Sequence, residues 1–183
     1  MGKNLYFVAL LLPEDVAAIA TEWKQYCAEH FDTKKAFNSP PHITLQPPFK
    51  WHDRDEGRLI NFLETFAGNY AHIPITLDGF GCFEPRVIFI DVEQTPELLE
   101  IQNHLKTTFA ETLSIRDERY GDRPFHPHAT IAFKDLSKGN FYRAWAEFKD
   151  KSIHHEFSVP QLTLLKHNGQ SWIVERNFPF QRP

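Results

Sequence analysis

One short word recurs in this chain, and few folds can accommodate it twice: proline, histidine, any residue, threonine, an aliphatic residue. It stands in SPPHITLQPP at 39–48 and again in FHPHATIAF at 125–133. None of the other histidines, of 10 in all, has a threonine two positions on. Proline lacks a backbone N–H and biases the residue before it toward extended backbone, so each word reads as a strand entered from a stiff segment. Along a strand, side chains i and i+2 share a face about 6.5–7 Å apart. His42 and Thr44 therefore stand together, while Ile43 and Leu45 point the other way into a core. His128 and Thr130 repeat the arrangement against Ala129 and Ile131. A polar pair backed by aliphatics describes a half-buried strand bordering a cleft.

The surroundings of the two words also repeat. In the first half, the spacing predicts a buried strand over Leu5–Leu12 and a helix opening at Pro13 with Glu14 and Asp15 in its first turn. The SPPHITLQPP strand follows, then a helix over Asp55–Phe66, then a strand over Ile73–Phe80 running into a turn at 78–81. The second half gives a strand at Arg86–Val92, a helix capped by Thr95 and running to about Leu113, and the FHPHATIAF strand. A helix at Asn140–Phe148 and two strands, Gln161–Lys166 and Trp172–Arg176, close the chain around Asn168-Gly169, a hairpin turn signal. The expected fold class is α+β: a pseudo-twofold duplication in two lobes, each an antiparallel sheet with helices on its outer face, around a central cleft. One bilobed domain over 1–183 is expected, its lobes interleaved, with repeats over about 4–82 and 86–178.

Composition narrows the function classes. A hydrophobic fraction of 42% with 17 Phe and 4 Trp is enough for a core and excludes a disordered chain. A net charge of −4 argues against a large duplex footprint, because duplex affinity rests on neutralising many phosphates. A short RNA end or a nucleotide needs only one or two local cations. Cys27 and Cys82 make neither a disulfide framework nor a metal spacing, which suits a reducing cytoplasm. The apolar run LYFVALLL is too short to span a bilayer, and Pro13, Glu14 and Asp15 follow it at once, so a first buried strand is expected rather than a leader or an anchor. No membrane and no obligate protein partner is expected, and the chain is read as a monomer.

Two imidazoles brought face to face suit phosphoryl chemistry without a metal or other cofactor. Histidine titrates near neutral pH, so one ring can accept a proton from a nucleophile while the other gives one to a leaving oxygen. The neighbouring hydroxyls can donate to non-bridging phosphate oxygens during in-line attack. On a 2′,3′-cyclic phosphate, one histidine would activate water and the other protonate the departing ribose oxygen; with a 5′-hydroxyl as nucleophile the same site would join RNA ends. The plainer alternative makes the histidines satisfied core residues and the threonines ordinary strand formers. From a different class, the rival is a nucleotide or RNA-end binding module that turns nothing over.

SPPHITLQPP and FHPHATIAF, set in the two halves of a duplicated α+β arrangement, resemble the two-histidine (2H) phosphoesterases. Within these the chain is most similar to the bacterial 2′-5′ RNA ligase/RNA 2′,3′-cyclic phosphodiesterase group, from the LYFVALLLP opening to the last hairpin. The resemblance implies two antiparallel-sheet lobes around a cleft and no metal. It makes His42 and His128 the catalytic pair and Thr44 and Thr130 the phosphate-binding hydroxyls, with His128 as base and His42 as acid in hydrolysis. The implied partners are RNA 3′ ends or small nucleotides carrying a cyclic phosphate. Members of the family act on RNA ends, on 2′-5′ oligonucleotides and on ADP-ribose cyclic phosphate, and the motif does not choose among them. Many relatives carry a basic residue soon after the motif; here Gln46-Pro47 follow the first and Phe133-Lys134 the second.

Several neighbours of the two words are further candidates for substrate contact. His126 stands two before His128 and is either a spare proton carrier or an orienting surface residue. Phe49, Trp51, Tyr120, Phe125 and Phe133 are candidates for stacking on a base, and Arg123, Lys134 and Lys50 for meeting a phosphate. The remaining histidines, His154 and His155 among them, have no ligand spacing, so no metal site is expected.

Overall fold

The computed structural model describes residues 2–117, 119 and 123–181. Along the chain the elements are β1 (Lys3–Leu11), α1 (Glu14–Phe31), β2 (His42–His52), α2 (Glu56–Ala67), β3 (Ile73–Phe83), β4 (Val87–Val92) and α3 (Pro96–Thr112). Then come β5 (His128–Ala132), α4 (Lys138–Phe148), β6 (His154–Val159), β7 (Gln161–His167) and β8 (Trp172–Pro179). The α+β class holds, in two antiparallel sheets of four strands each, ordered β2-β1-β7-β8 and β5-β4-β3-β6. The orders correspond: an edge strand carrying the His-x-Thr word, then the opening strand of that half, then a strand from the other half. β3 crosses into the second sheet and β7 returns to the first, so neither half of the sequence builds a sheet alone.

Local chemistry sets the helix starts. Pro96 occupies the first turn of α3, and the Thr95 hydroxyl accepts from the Leu98 N–H at 3.3 Å. Ser137 does the same for Asn140 at the head of α4, at 3.2 Å. Helix α2 packs on β7 and β8, α3 on β2 and β3, α1 on β5 and α4, and α4 also on β3 and β4. One continuous core results. It holds Tyr6, Val8 and Leu10 of β1, Ile43 and Leu45 of β2, Ile88 and Ile90 of β4, and Ala129 and Ile131 of β5. These are the residues whose alternation points away from the histidine faces. On the opposite face of the first sheet, Phe7, Ala9 and Leu165 form a small second cluster with Leu11 and Trp172 against it.

Three elements depart from the expectation. Strand β2 does not stop at Pro47-Pro48 but runs on to His52. It is an edge strand, where a missing N–H is tolerated, and its register against β1 shifts twice around the prolines. Strand β3 passes through 78–81 to Phe83 instead of turning; Gly79, at φ 74°, lies within the register irregularity there. Strand β6, HHEFSV, was not expected, being an outer strand with little apolar character to mark it.

A polar latch ties the end of α1 to the exit of β5. Lys134 adopts a left-handed backbone, φ 64°, and the Asp135 carboxylate then accepts from the Thr33 hydroxyl at 2.6 Å and the Lys34 N–H at 2.8 Å. Partial burial alone would raise the Asp135 pKa, but these donors hold it below the usual carboxylate range. Nearby, the Asn140 side-chain amide donates to the Phe31 carbonyl at 3.0 Å.

Candidate active site

β2 and β5 are the edge strands by which the two sheets pack beside each other. Strand alternation does the rest. Leu11 faces His42 and Ala9 faces Thr44 across the β1–β2 ladder, while Asp91 faces His128 and Phe89 faces Thr130 across β4–β5. His42 thus rests on the Phe7 ring, centroids 4.9 Å apart. His128 sits between Phe83 at 5.0 Å and Phe89 at 4.9 Å. Behind Phe89 lies Gly81, where a Cβ would come within 2.6 Å of the ring's Cζ and closer still to Cε2. A side chain at 81 would push Phe89 off its place under His128.

Both histidines are held in the same way. His42 Nδ1 lies 2.7 Å from the Pro40 carbonyl oxygen, and His128 Nδ1 lies 2.7 Å from the His126 carbonyl oxygen. A carbonyl can only accept, so each Nδ1 carries hydrogen and donates, leaving Nε2 with the lone pair in the neutral ring. The intervening residue is proline in both cases, Pro41 and Pro127, which stiffens the segment bearing the accepting carbonyl. The recurring Pro-His of the sequence is therefore a tautomer lock as well as a strand entry.

Desolvation lowers the His42 pKa to about 4, with the charges of Lys24 and His128 acting in the same direction and the Pro40 carbonyl opposing them. His128 is also lowered, again by desolvation first, against the hydrogen bond to the His126 carbonyl, which raises it; the His126 ring adds a smaller lowering and Asp91 opposes it. Each free ring is neutral at pH 7. That His128 is felt at His42 places the two within electrostatic reach of each other. Thr44 and Thr130 are half-buried, and their hydroxyls have no hydrogen-bond partner among the described residues.

Lys24 is the residue that motif reading missed. It is 3% exposed, and its ammonium donates to the Ala36 and Ser39 carbonyls at 2.8 and 2.9 Å. It thereby pins the segment that delivers Pro40 and Pro41 to His42. Burial lowers its pKa to about 8. A signal was present: Val16, Ala20, Lys24, Cys27 and Phe31 are the buried positions of α1, and a lysine on that stripe breaks the pattern.

The remaining candidates divide. His126 is exposed at the rim of the site, its Nε2 3.0 Å from Asp91 Oδ1 and its ring against Phe83 and Phe89. Phe49 faces the other way: it is 7% exposed and packs on Tyr6 and Phe109 in the core. Trp51 and Phe125 also lie against the core, and the Trp51 indole N–H donates to the Asp55 carbonyl at 2.7 Å. Phe133 is half-buried after β5, and Lys50, Arg123 and Lys134 are exposed. Tyr120 lies outside the described residues. Among the described residues no group of three or more His, Cys, Asp or Glu side chains is placed to hold a metal ion, and no helix is long and apolar enough to cross a membrane.

Two four-stranded antiparallel sheets, each presenting a histidine and a threonine from its inner edge strand, have the architecture of a two-histidine phosphoesterase. Residues 12–171 match the 2′-5′ RNA ligase superfamily, and the chain belongs to that family. A protein of Bacillus pumilus named as a candidate phosphoesterase is 32% identical over 143 residues, covering 76% of this chain and 78% of that one. Among solved structures, TT0787 of Thermus thermophilus superposes with a TM-score of 0.72 at 20% identity, covering 98% of both chains. Escherichia coli LigT without ligand superposes with a TM-score of 0.68 at 19% identity over the whole of both chains. LigT complexed with 3′-AMP does so with 0.68 at 22%, over 98% of this chain and 99% of that one. At such identities the structures speak for the fold. Membership in the family supports an enzyme of the two-histidine phosphoesterase kind.

Proposed function

We propose that this chain hydrolyses 2′,3′-cyclic phosphates, at RNA ends or on nucleotides, to 2′-phosphates, using His42 and His128 as its acid–base pair and no metal. The observation that carries this reading is the matched tautomer lock, which aims the same nitrogen, Nε2, of both rings away from its strand entry. In the reaction His128 Nε2 takes a proton from water as the water oxygen bonds to phosphorus. The bond from phosphorus to O3′ breaks, and His42 Nε2, protonated, gives its hydrogen to O3′. The hydroxyls of Thr44 and Thr130 donate to the non-bridging oxygens. Both rings are neutral in the free site, so the bound phosphate anion must supply the field that keeps a proton on His42. With a 5′-hydroxyl in place of water, the same steps form a 2′-5′ linkage. That one LigT structure is of its complex with 3′-AMP favours a nucleotide as occupant.

The test is incubation of EDTA-treated protein with a short RNA ending in a 2′,3′-cyclic phosphate, followed by mass and by phosphorus NMR. Appearance of a 2′-phosphate is expected. A 3′-phosphate product would reverse the leaving oxygen, and activity lost with EDTA and restored by a divalent cation would overturn the metal-free scheme. An inert RNA would direct the same assay to a 2′-5′ dinucleotide and to ADP-ribose cyclic phosphate. Binding of all three without turnover would make the chain a binding module.

A further inference from the structure

The carbonyl that locks His128 belongs to His126, and the His126 side chain is itself held. Its Nε2 lies 3.0 Å from Asp91 Oδ1, and the same oxygen accepts the Val92 N–H at 3.0 Å. An ionised carboxylate can only accept, so Nε2 of His126 carries hydrogen and donates. His126 and His128 are therefore opposite tautomers, the first with its hydrogen on Nε2 and the second on Nδ1. The His126 ring also rests against Phe83 and Phe89, centroids 5.4 and 5.3 Å away, the same two rings that flank His128. Residues 123–127, which deliver His128, lie in no helix or strand, and the bond to Asp91 ties them to β4. Asp91 stands opposite His128 in the β4–β5 ladder. One carboxylate thus faces the histidine of the site and grips the residue two before it.

We propose that Asp91 and His126 are positioning residues for His128: the carboxylate holds the His126 side chain, and through it the carbonyl that keeps hydrogen on His128 Nδ1 and leaves Nε2 bare. Without that lock the ring is free to carry hydrogen on Nε2, where it cannot take a proton from water. The two side chains are 43% and 39% exposed, and a pair so exposed contributes little to folding. What the bond supplies is the direction of one carbonyl. His42 needs a different anchor, because its accepting carbonyl belongs to Pro40, whose ring has no donor. There Lys24 of α1 holds the segment through the Ala36 and Ser39 carbonyls. Both locks thus end on a charged side chain from a neighbouring element. The negative charge of Asp91 also favours a proton on His128, against the desolvation of the ring. The proposal rests on the reading of His128 as the base, and deepens it by naming what sets that base's tautomer.

The experiment uses the full chain and two variants: His126→Phe, which keeps a ring on Phe83 and Phe89 but has no donor, and Asp91→Ala. Nitrogen-15 NMR of the imidazoles reads which nitrogen of each ring carries hydrogen. The wild type is expected to show His128 with hydrogen on Nδ1 and His126 with hydrogen on Nε2. Both variants should show His128 converted in part to the Nε2–H form, while His42, locked by Pro40, keeps its hydrogen on Nδ1. On a 2′,3′-cyclic mononucleotide, kcat should fall about tenfold in each variant, the scale of one charged hydrogen bond, with KM little changed. The double variant should lose no more than either single one. His126→Gln, which sets an amide N–H near the place of Nε2–H, should restore the tautomer and most of the rate. A His128 tautomer unchanged in both variants overturns the proposal, and so does a change that His42 shares, which marks general loosening. If the tautomer converts and kcat does not fall, the lock stands and the reading of His128 as base fails. Should the wild type turn over no cyclic phosphate, that reading fails too, and the tautomers alone decide the positioning.

Discussion

Replacing Lys24 by methionine tests how the segment before His42 is held. The folded pKa of Lys24 is about 8, against an ordinary value of 10.5. A separation of about 2.5 corresponds to roughly 3 kcal/mol of unfavourable charge burial at neutral pH. The replacement relieves that burden but removes the donors to the Ala36 and Ser39 carbonyls, each worth about 1–3 kcal/mol when left buried and unpaired. The two effects nearly offset, so stability at pH 7 changes little while the loop loosens and turnover falls. The discriminating quantity is the pH dependence. Between pH 8 and 10.5 the unfolded chain keeps a proton that folded Lys24 has lost, so the unfolding free energy rises with pH across that window. Relative to pH 7, the wild type gains about 2 kcal/mol by about pH 9.5 that Lys24→Met does not. Urea unfolding of both proteins at the two pH values measures this difference, and other titrating groups cancel in it. Parallel changes in the two proteins would refute the buried, hydrogen-bonded ammonium.

Three further outcomes are expected. Because desolvation lowers both histidines, proton donation weakens as pH rises, and kcat/KM for a cyclic phosphate should have its optimum below about pH 6.5. The optimum of kcat should lie higher, since bound phosphate favours the imidazolium; coincident optima would contradict this. Gly81→Ala drives a methyl group into Phe89 and should lower stability by about 1–3 kcal/mol, together with activity, through the displaced platform of His128. Thermal unfolding alongside kinetics checks both effects. Asp135→Ala should destabilise by roughly 1–3 kcal/mol, measured by urea unfolding across a pH series. With the carboxylate's folded pKa depressed, that loss is full above about pH 5 and fades as pH falls below about 4, where the wild type loses the same interaction.

The face logic of the two His-x-Thr words was legible because strand alternation is local. It correctly set His42 and Thr44 apart from Ile43 and Leu45, and the helices followed from their caps and apolar stripes. The pairing of strands was not legible. The lobes were expected to interleave, but nothing in the composition of Ile73–Phe83 says that this is the strand that crosses, or that it joins β4. Phe7, Phe83, Phe89 and Asp91 become neighbours of the histidines only through register, which no single-strand pattern encodes. Pro47-Pro48 reads as a strand end unless β2 is known to be an edge, and the bulge that turns Gln46 away is invisible until β1 lies beside it. Strand β6 hid because its exposed, histidine-rich alternation resembles a loop. Lys24 was the avoidable omission, a charge on an apolar helix stripe.

The most direct test of the two-histidine account is single-turnover hydrolysis of an RNA 2′,3′-cyclic phosphate by the wild type, His42→Ala and His128→Ala, with circular dichroism as a check on folding. The account predicts that each variant keeps the fold and loses at least about 10²-fold in rate. A folded variant of either kind that retains wild-type turnover would contradict it.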